Sequence, residues 1–151
     1  MATWAEFAKM SPTLAADGRR LIERSGTGKG LLATVRGEAL PRIHPISVAI
    51  VDGRLLAYLI VGSGKLADLI ADGRYALHAH QDLAEPHEFL VRGRAHEVTD
   101  PAISAHAKAT WSFDVDESYR LFEFSIEHAG FGERGDPDDW PPHYTAWRSP
   151  S

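Results

Sequence analysis

The sequence predicts an α+β fold, in which six or seven mostly antiparallel strands form a closed or split β-barrel with short flanking helices. From Gly30 onward, apolar and polar residues alternate in short segments at the period of β-strands. Turn signals such as Asp52-Gly53 separate these segments. Apolar residues recur at the spacing of a helix only within residues 1–29, where we expect N-terminal helices, and in two short segments farther along the chain. We expect one domain, 1–151.

The N-terminal helices are predicted from their capping residues. Thr3 and Glu6 have the spacing of a capping box ahead of the first helix. Ser11-Pro12 predicts the start of the second helix, because Ser is a preferred N-cap and Pro is favoured at the first helical position. We expect Gly26 and Gly28 to end this helix.

The rest of the chain is divided at turn signals. The predicted strands are 31–35, 42–51, 55–61, 75–80, 88–99, 121–126 and 144–147. Short helices are predicted over 65–71 and 101–111. The alternation in 88–99 slips near its end, which indicates a β-bulge. Gly, Asp and Pro are frequent in 130–143, so we expect a loop before the last strand.

Composition and charge exclude several classes of protein. Zero cysteines exclude disulfides, thiolate zinc sites and a cysteine nucleophile. No run approaches the roughly 18 apolar residues of a membrane span, and the first residues lack the basic region of a signal peptide. We therefore expect a soluble, cytoplasmic protein without a membrane partner. A net charge of −5 argues against nucleic-acid binding. Residues 1–75 carry a net charge of +3 and residues 76–151 one of −8, so a small anion should bind through the first half.

The segment Gly62-Ser63-Gly64-Lys65 is a candidate anion site. It is not a nucleotide P-loop, because Leu66 stands where that motif needs Ser or Thr. It does end a strand and begin a helix, whose free amides and positive dipole end favour a phosphate. Ser63 offers a hydroxyl and Lys65 a point charge. A plain surface loop with an exposed lysine explains this segment equally well.

Two other features bear on a site. His78 and His80 face the same side of a strand, but no carboxylate is placed as a third ligand, so we predict no metal site. Pro45 interrupts a strand and implies a strand edge or a bulge there. This is either a simple irregularity or a place where free backbone amides face a flat heterocycle.

Several segments occur together in an order and spacing that resemble a known family. They are LATVR (32–36), PRIHPI (41–46), DGRL (52–55), SGKLADL (63–69) and DGRYAL (72–77), with AWR (146–148) similar to a last strand. The chain resembles the FMN-binding split-barrel proteins related to pyridoxamine 5'-phosphate oxidase. The resemblance implies a six-stranded split barrel that forms a homodimer with two flavin sites at the interface.

The resemblance also implies where the cofactor lies. The strand around His44, Pro45 and Ile46 lies along the isoalloxazine ring in such proteins. The segment that matches Ser63 and Lys65 holds the ribityl phosphate, which agrees with the anion site expected from the residues alone.

Four further residues become candidates through the resemblance. Arg36 and Arg42 are candidates for binding the phosphate or a substrate anion. Residues of the second subunit would close the site, and the candidates are Trp111 or Trp147. No side chain is assigned as a catalytic acid or base.

A homodimer is also expected from the aromatic residues themselves. Phe122, Phe124 and Ile126 share one strand face, and together with Trp111 and Trp147 they form more apolar surface than one small barrel needs inside. We expect a two-fold symmetric dimer.

The expected function is that of an FMN-dependent oxidoreductase acting on an unidentified small molecule. In such a protein the cofactor carries out the hydride chemistry and the chain supplies orientation and electrostatics. The alternatives are a reductase that uses the deazaflavin coenzyme F-420 and a non-catalytic carrier or sensor of flavin or haem.

Overall fold

The computed structural model describes residues 1–24, 28–111 and 113–150. The strands are β1 (Gly28–Thr34), β2 (Arg42–Val51), β3 (Arg54–Ile60), β4 (Arg74–Ala79), β5 (Glu88–Glu97), β6 (Tyr119–Glu133) and β7 (His143–Arg148). The helices are α1 (Trp4–Met10), α2 (Pro12–Glu23), α3 (Gly64–Ala71) and α4 (Pro101–Thr110). Within these residues no helix is both long enough and apolar enough to cross a membrane.

The strands form one antiparallel sheet in the order β3-β2-β1-β4-β5-β6-β7. A further antiparallel pairing between β3 and β6 closes strands β1 to β6 into a barrel and leaves β7 as an addition to the edge of β6. The predicted α+β fold, an antiparallel barrel with short flanking helices, is confirmed.

The barrel is split beside β2. This strand pairs with β1 along 42–48 but with β3 only along 49–51. Among the described residues, the segment 42–48 therefore has no strand neighbour on its second edge, which we call the free edge of β2. Pro45 lies on it, as the missing proline N–H predicts. Helix α2 packs against β1, β2 and β4 to β7 and covers the core there.

The core lies on both faces of β3. Leu55, Ala57 and Leu59 point into the barrel and join the main cluster, which includes Phe89. Leu56 and Tyr58 point outward into a second cluster under α4. The main cluster is packed closely against α2. A Cβ atom at Gly18 would lie 2.3 Å from the ring of Phe89, so only glycine lets the helix approach this far.

The caps of the N-terminal helices agree only in part with prediction. Both hydrogen bonds of the Thr3–Glu6 capping box are present. Ser11 precedes α2, but its side chain makes no capping hydrogen bond. The predicted helix end at Gly26 lies outside the described residues. Gly28 begins β1, so the N-terminal helices do not extend to residue 29.

Strand β6 is much longer than predicted, because residues 130–133 belong to it rather than to a loop. Gly130 and Gly132 look like loop residues in the sequence. In the structure a Cβ atom at 132 would lie 2.8 Å from the ring of Tyr144 on the neighbouring strand. The glycine therefore makes room for a cross-strand aromatic ring, and the predicted loop 130–143 starts only after Glu133.

The predicted bulge lies at another place. The register shifts between Arg92 and Gly93, which pair with His128 and Ile126, so the extra residue is Glu127 on β6. The bulge was predicted near the end of strand 88–99, and this position is wrong.

The apolar face proposed for a dimer is also corrected. Phe122, Phe124 and Ile126 are at most 1% exposed and face the interior of the barrel. Trp111 is buried under α4, and Trp147 packs on Phe7 of α1 with ring centroids 4.9 Å apart. The three β6 side chains are enclosed by closure of the barrel, Trp111 is buried in the cluster under α4, and Trp147 is partly buried on the main core, so together they form no common surface for a second copy.

Candidate functional site

Helix α3 begins directly after β3, at the predicted anion site. Ser63 is its N-cap, and the Ser63 Oγ atom accepts a hydrogen bond from the Leu66 amide at 3.4 Å. The same hydroxyl donates to the carbonyl of Ile60 at 2.8 Å. The amides of Gly64 and Lys65 lie in the first turn, where a helix has no internal acceptor for them. The predicted helix start is confirmed, and its amides rather than the Ser63 hydroxyl are the free donors.

Arg42, at the start of β2, reaches the first residue of this helix. A Cβ atom at Gly64 would lie 2.9 Å from Nη1 and 3.0 Å from Cζ of Arg42. The guanidinium group therefore packs on the bare backbone of Gly64. This contact joins the beginning of the free edge of β2 to the N-terminus of α3.

A buried carboxylate holds two arginines at this place. Asp68 is 2% exposed, and its Oδ2 atom accepts hydrogen bonds from Thr34 Oγ1 at 2.8 Å and Arg42 Nε at 3.0 Å. The Nε atom of Arg36 lies 3.4 Å from Oδ1 of the same group. The two arginine side chains are about half exposed, at 50% and 48%. Each therefore has one end fixed by Asp68 and the other accessible to solvent.

A second carboxylate, Asp72 at the C-terminal end of α3, holds the turn between β1 and β2. The amide of Gly37 donates to Asp72 Oδ2 at 2.8 Å, and Arg74 Nε lies 2.6 Å from Oδ1. The hydrogen bonds from Arg74 and Gly37 hold the pKa of Asp72 well below its usual range. Gly37 has φ +55°, a conformation that favours glycine. The turn that follows Arg36 is thus attached to the C-terminal end of α3.

His44 lies two residues beyond Arg42 on the same strand. Burial lowers the pKa of His44, and the positive charges of Lys65 and Arg42 lower it further, while Asp68 opposes them. These influences favour the neutral form of the ring. Its Nε2 atom is buried and has no hydrogen-bond partner among the described residues.

The structure brings five of the eight predicted site residues together around the start of α3: Arg36, Arg42, His44, Ser63 and Lys65. Pro45 is exposed on the free edge of β2, whereas Ile46 points the other way and packs on the core.

Trp111 lies apart from this group. Its ring packs at a right angle on Tyr58 under α4, with the centroids 5.0 Å apart. No group of three or more metal-ligating side chains occurs in the described residues.

Sequence reasoning missed the residues that organise the cluster: Thr34, Gly64 and Asp68. The available signal was Asp68 itself, a carboxylate on the third residue after Lys65 within the otherwise apolar stretch of α3. A buried charge of this kind requires a partner.

Another open cleft, between α4 and strand β6, lacks this concentration of positive charge. Its lining includes Tyr58, Lys108 and Arg120. Arg120 Nη1 lies 3.1 Å from a carboxylate oxygen of Glu97, which also lines the cleft. The start of α3 is therefore the better candidate for an anion.

Comparison with known proteins supports the fold. No family model matches the chain, and no curated protein matches it. Among solved structures, a haem-binding protein from Mycobacterium smegmatis is 13% identical with a TM-score of 0.66, over 88% of this chain and 57% of that one. An FAD-binding protein from the same organism is 17% identical with a TM-score of 0.62, over 89% and 97% of the two chains.

A third similar structure belongs to a protein of the family that the sequence resembles. It is a protein from Clostridium acetobutylicum related to general stress protein 26, of the pyridoxinephosphate oxidase family, 12% identical with a TM-score of 0.62 over 96% of both chains. The chain therefore has the split-barrel fold of pyridoxamine 5'-phosphate oxidase-like proteins. Sequence identities this low establish the shared fold. The cofactor and the activity depend on the residues of the site.

Proposed function

We propose that the chain binds FMN where the start of α3 meets the free edge of β2, and that it is a flavin-dependent oxidoreductase acting on a small molecule. The observation that carries this proposal is the group formed by Arg36, Arg42 and Lys65, which we call the cation cluster. Arg42 packs on Gly64, and Lys65 is the next residue in the first turn of α3. Arg36 is held by Asp68 one turn farther along the helix. Within the described residues, Lys65 has no acidic partner within ion-pair distance. Such a combination suits a phosphate.

The chain's own residues have separate roles in this proposal. The cation cluster and the amides of Gly64 and Lys65 bind the phosphate. The free edge of β2 around 44–46 supplies unpaired backbone groups for a flat ring. When bound, the flavin supplies hydride transfer. The protein binds and orients it, and no side chain is required as an acid or base.

We also propose that the protein works as a homodimer. The support now comes from the outer face of β1 and β2, where Leu31, Ile43 and Pro45 are exposed. Leu31 lies directly opposite Pro45 in the sheet. A second copy seated there would lie next to the free edge of β2 and add its own residues to the site.

The alternatives are a reductase using the deazaflavin coenzyme F-420 and a non-catalytic carrier or sensor of flavin or haem. One observation favours haem: burial and the nearby positive charges lower the pKa of His44 and so favour the neutral imidazole, which is a common ligand of iron. Its Nε2 atom is buried, however, and the ring would have to turn before that atom met a ligand.

The absorption spectrum of the purified protein separates these alternatives. A flavin spectrum supports the proposal, whereas a deazaflavin spectrum or a Soret band supports one of the others. Turnover with NAD(P)H then distinguishes an oxidoreductase from a carrier, because a carrier binds its flavin but does not reduce it.

The phosphate assignment is tested with Lys65→Ala. Loss of a charge-assisted contact of about 1.5–3 kcal/mol should weaken FMN binding by roughly ten- to a hundredfold. Riboflavin, which lacks the phosphate, should lose far less affinity. Lys108→Ala, an exposed lysine on α4, is the matched control. If FMN and riboflavin lose affinity equally, or neither does, the phosphate assignment is wrong.

A further inference from the structure

Asp68 is one of the three residues of the site that were not predicted from the sequence. It lies in the middle of α3 and is 2% exposed. Its three partners, Thr34, Arg36 and Arg42, all come from β1, β2 or the turn between them. A buried carboxylate with three partners from a neighbouring hairpin fixes that hairpin relative to the helix.

The arginines contact Asp68 in a particular way. Both use their Nε atoms, at 3.4 Å for Arg36 and 3.0 Å for Arg42. The guanidinium group has five donors in a planar fork. Since each Nε lies beside Asp68 and the two side chains are 50% and 48% exposed, donors of the terminal amino groups are left for a ligand.

The charges of the group are also matched to a particular ligand. The cation cluster carries three positive charges, and Asp68 offsets one of them, which leaves +2. A phosphate monoester carries about −1.5 to −2 at pH 7. A bound monoester would therefore neutralise the site.

We propose that Asp68 is a positioning residue, which holds the guanidinium groups of Arg36 and Arg42 in the orientation that receives a phosphate monoester. This inference rests on the proposed function and goes one step beyond it. Long arginine side chains lose conformational freedom when they bind a ligand, and side chains held in place beforehand lose less. Asp68 therefore increases affinity although its own charge repels the phosphate.

The sign of the effect distinguishes positioning from simple electrostatics. Asp68→Asn removes a negative charge close to the ligand, so Coulomb attraction alone predicts tighter FMN binding. Positioning predicts the opposite, a loss of about tenfold or more in FMN affinity. Riboflavin binding should change little, because the ring is bound elsewhere.

The experiment is a titration of the full-length protein with FMN, riboflavin and inorganic phosphate. Asp68→Glu is the second variant, since it keeps the charge but moves the carboxylate, and it should also weaken FMN and phosphate binding. Thr34→Val is the matched control, because it removes a partner of Asp68 and leaves both arginine contacts in place. A double-mutant cycle with Arg42→Gln should show that the two losses are not additive.

The outcomes are separable. If the wild-type protein binds FMN and both Asp68 variants bind it as tightly or more tightly, the inference is wrong and the proposed function stands. Equal losses for FMN and riboflavin would assign Asp68 a merely structural role and also overturn the inference. If the wild-type protein binds neither FMN nor phosphate, the proposed function fails, and the inference fails with it.

Discussion

The guanidinium group of Arg42 packs on the backbone of Gly64, and a Cβ atom at position 64 would lie 2.9 Å from its Nη1 atom. Gly64→Ala should therefore displace the guanidinium, the flexible partner in this contact. We expect FMN affinity to fall by about three- to tenfold, part of a charge-assisted contact. Thermal stability should change little, because the preference for Ala over Gly of about 0.5–1 kcal/mol applies to a helix interior and Gly64 is the first residue of α3.

The control for this prediction is Gly135→Ala, since a Cβ atom there has no neighbour within 4 Å. Calorimetric titration and thermal unfolding of both variants give the two readouts. Unchanged FMN affinity in Gly64→Ala would show that the position of Arg42 does not matter for the ligand.

Anion binding should depend on the protonation of His44. Burial and the charges of Lys65 and Arg42 lower the pKa of His44 below the ordinary value of 6.5, with Asp68 opposing. A bound anion adds negative charge nearby and must raise this pKa. By linkage, a site that gains proton affinity on binding an anion binds that anion more tightly as the pH falls through the range below 6.5.

Sulfate is the suitable probe, because its charge is constant over this range, whereas a phosphate monoester itself titrates near pH 6. NMR titration of the His44 ring, with and without sulfate, measures the shift directly. His44→Gln should make sulfate affinity independent of pH. A His44 pKa that does not respond to sulfate would contradict the prediction.

The ion pair between Arg54 and Glu123 should contribute to stability. Arg54 Nη1 lies 2.6 Å from Oε1 of Glu123, which is 2% exposed, and the other oxygen is buried with no hydrogen-bond partner in the part of the chain that the structure describes. Arg54→Met leaves this carboxylate with His96, at 3.6 Å, as its ion-pair partner among the described residues. Because the Arg54 side chain is 36% exposed, we expect a loss of about 2–3 kcal/mol, below the range for a fully buried pair.

Urea denaturation measures this loss. The double variant Arg54→Met with Glu123→Leu removes both charges, and it should recover most of the stability, because no uncompensated charge remains. If Arg54→Met is as stable as the wild-type protein, water already solvates Glu123 in the folded state, and the prediction is wrong.

The oligomeric state should depend on the outer face of β1 and β2. We expect light scattering at micromolar concentration to give twice the chain mass of 16.6 kDa. Replacing Leu31 and Ile43 together by Glu should give monomers, because the charges of two copies would meet in the interface. Leu83→Glu, in an exposed loop, is the matched control. A monomeric wild-type protein would exclude the dimer.

The local features of the chain, such as helix caps and strand edges, follow from the sequence alone. The capping box of Thr3 and Glu6, the helix start after Ser63 and the strand edge at Pro45 all result from residues a few positions apart. Caps, helical spacing and the missing N–H of proline act within about one turn, so the sequence carries them without reference to the rest of the fold.

The tertiary structure decided which of these elements contact each other. Asp68 finds its partners 34 and 26 residues away, at Thr34 and Arg42, and no periodicity encodes that contact. The burial of Phe124, read from the sequence as a surface for a second copy, likewise depends on strands pairing on both sides of β6. Closure of the barrel brings distant segments together, and the free energy of burying a side chain or pairing a charge is decided by those neighbours rather than by the residues beside it in the chain.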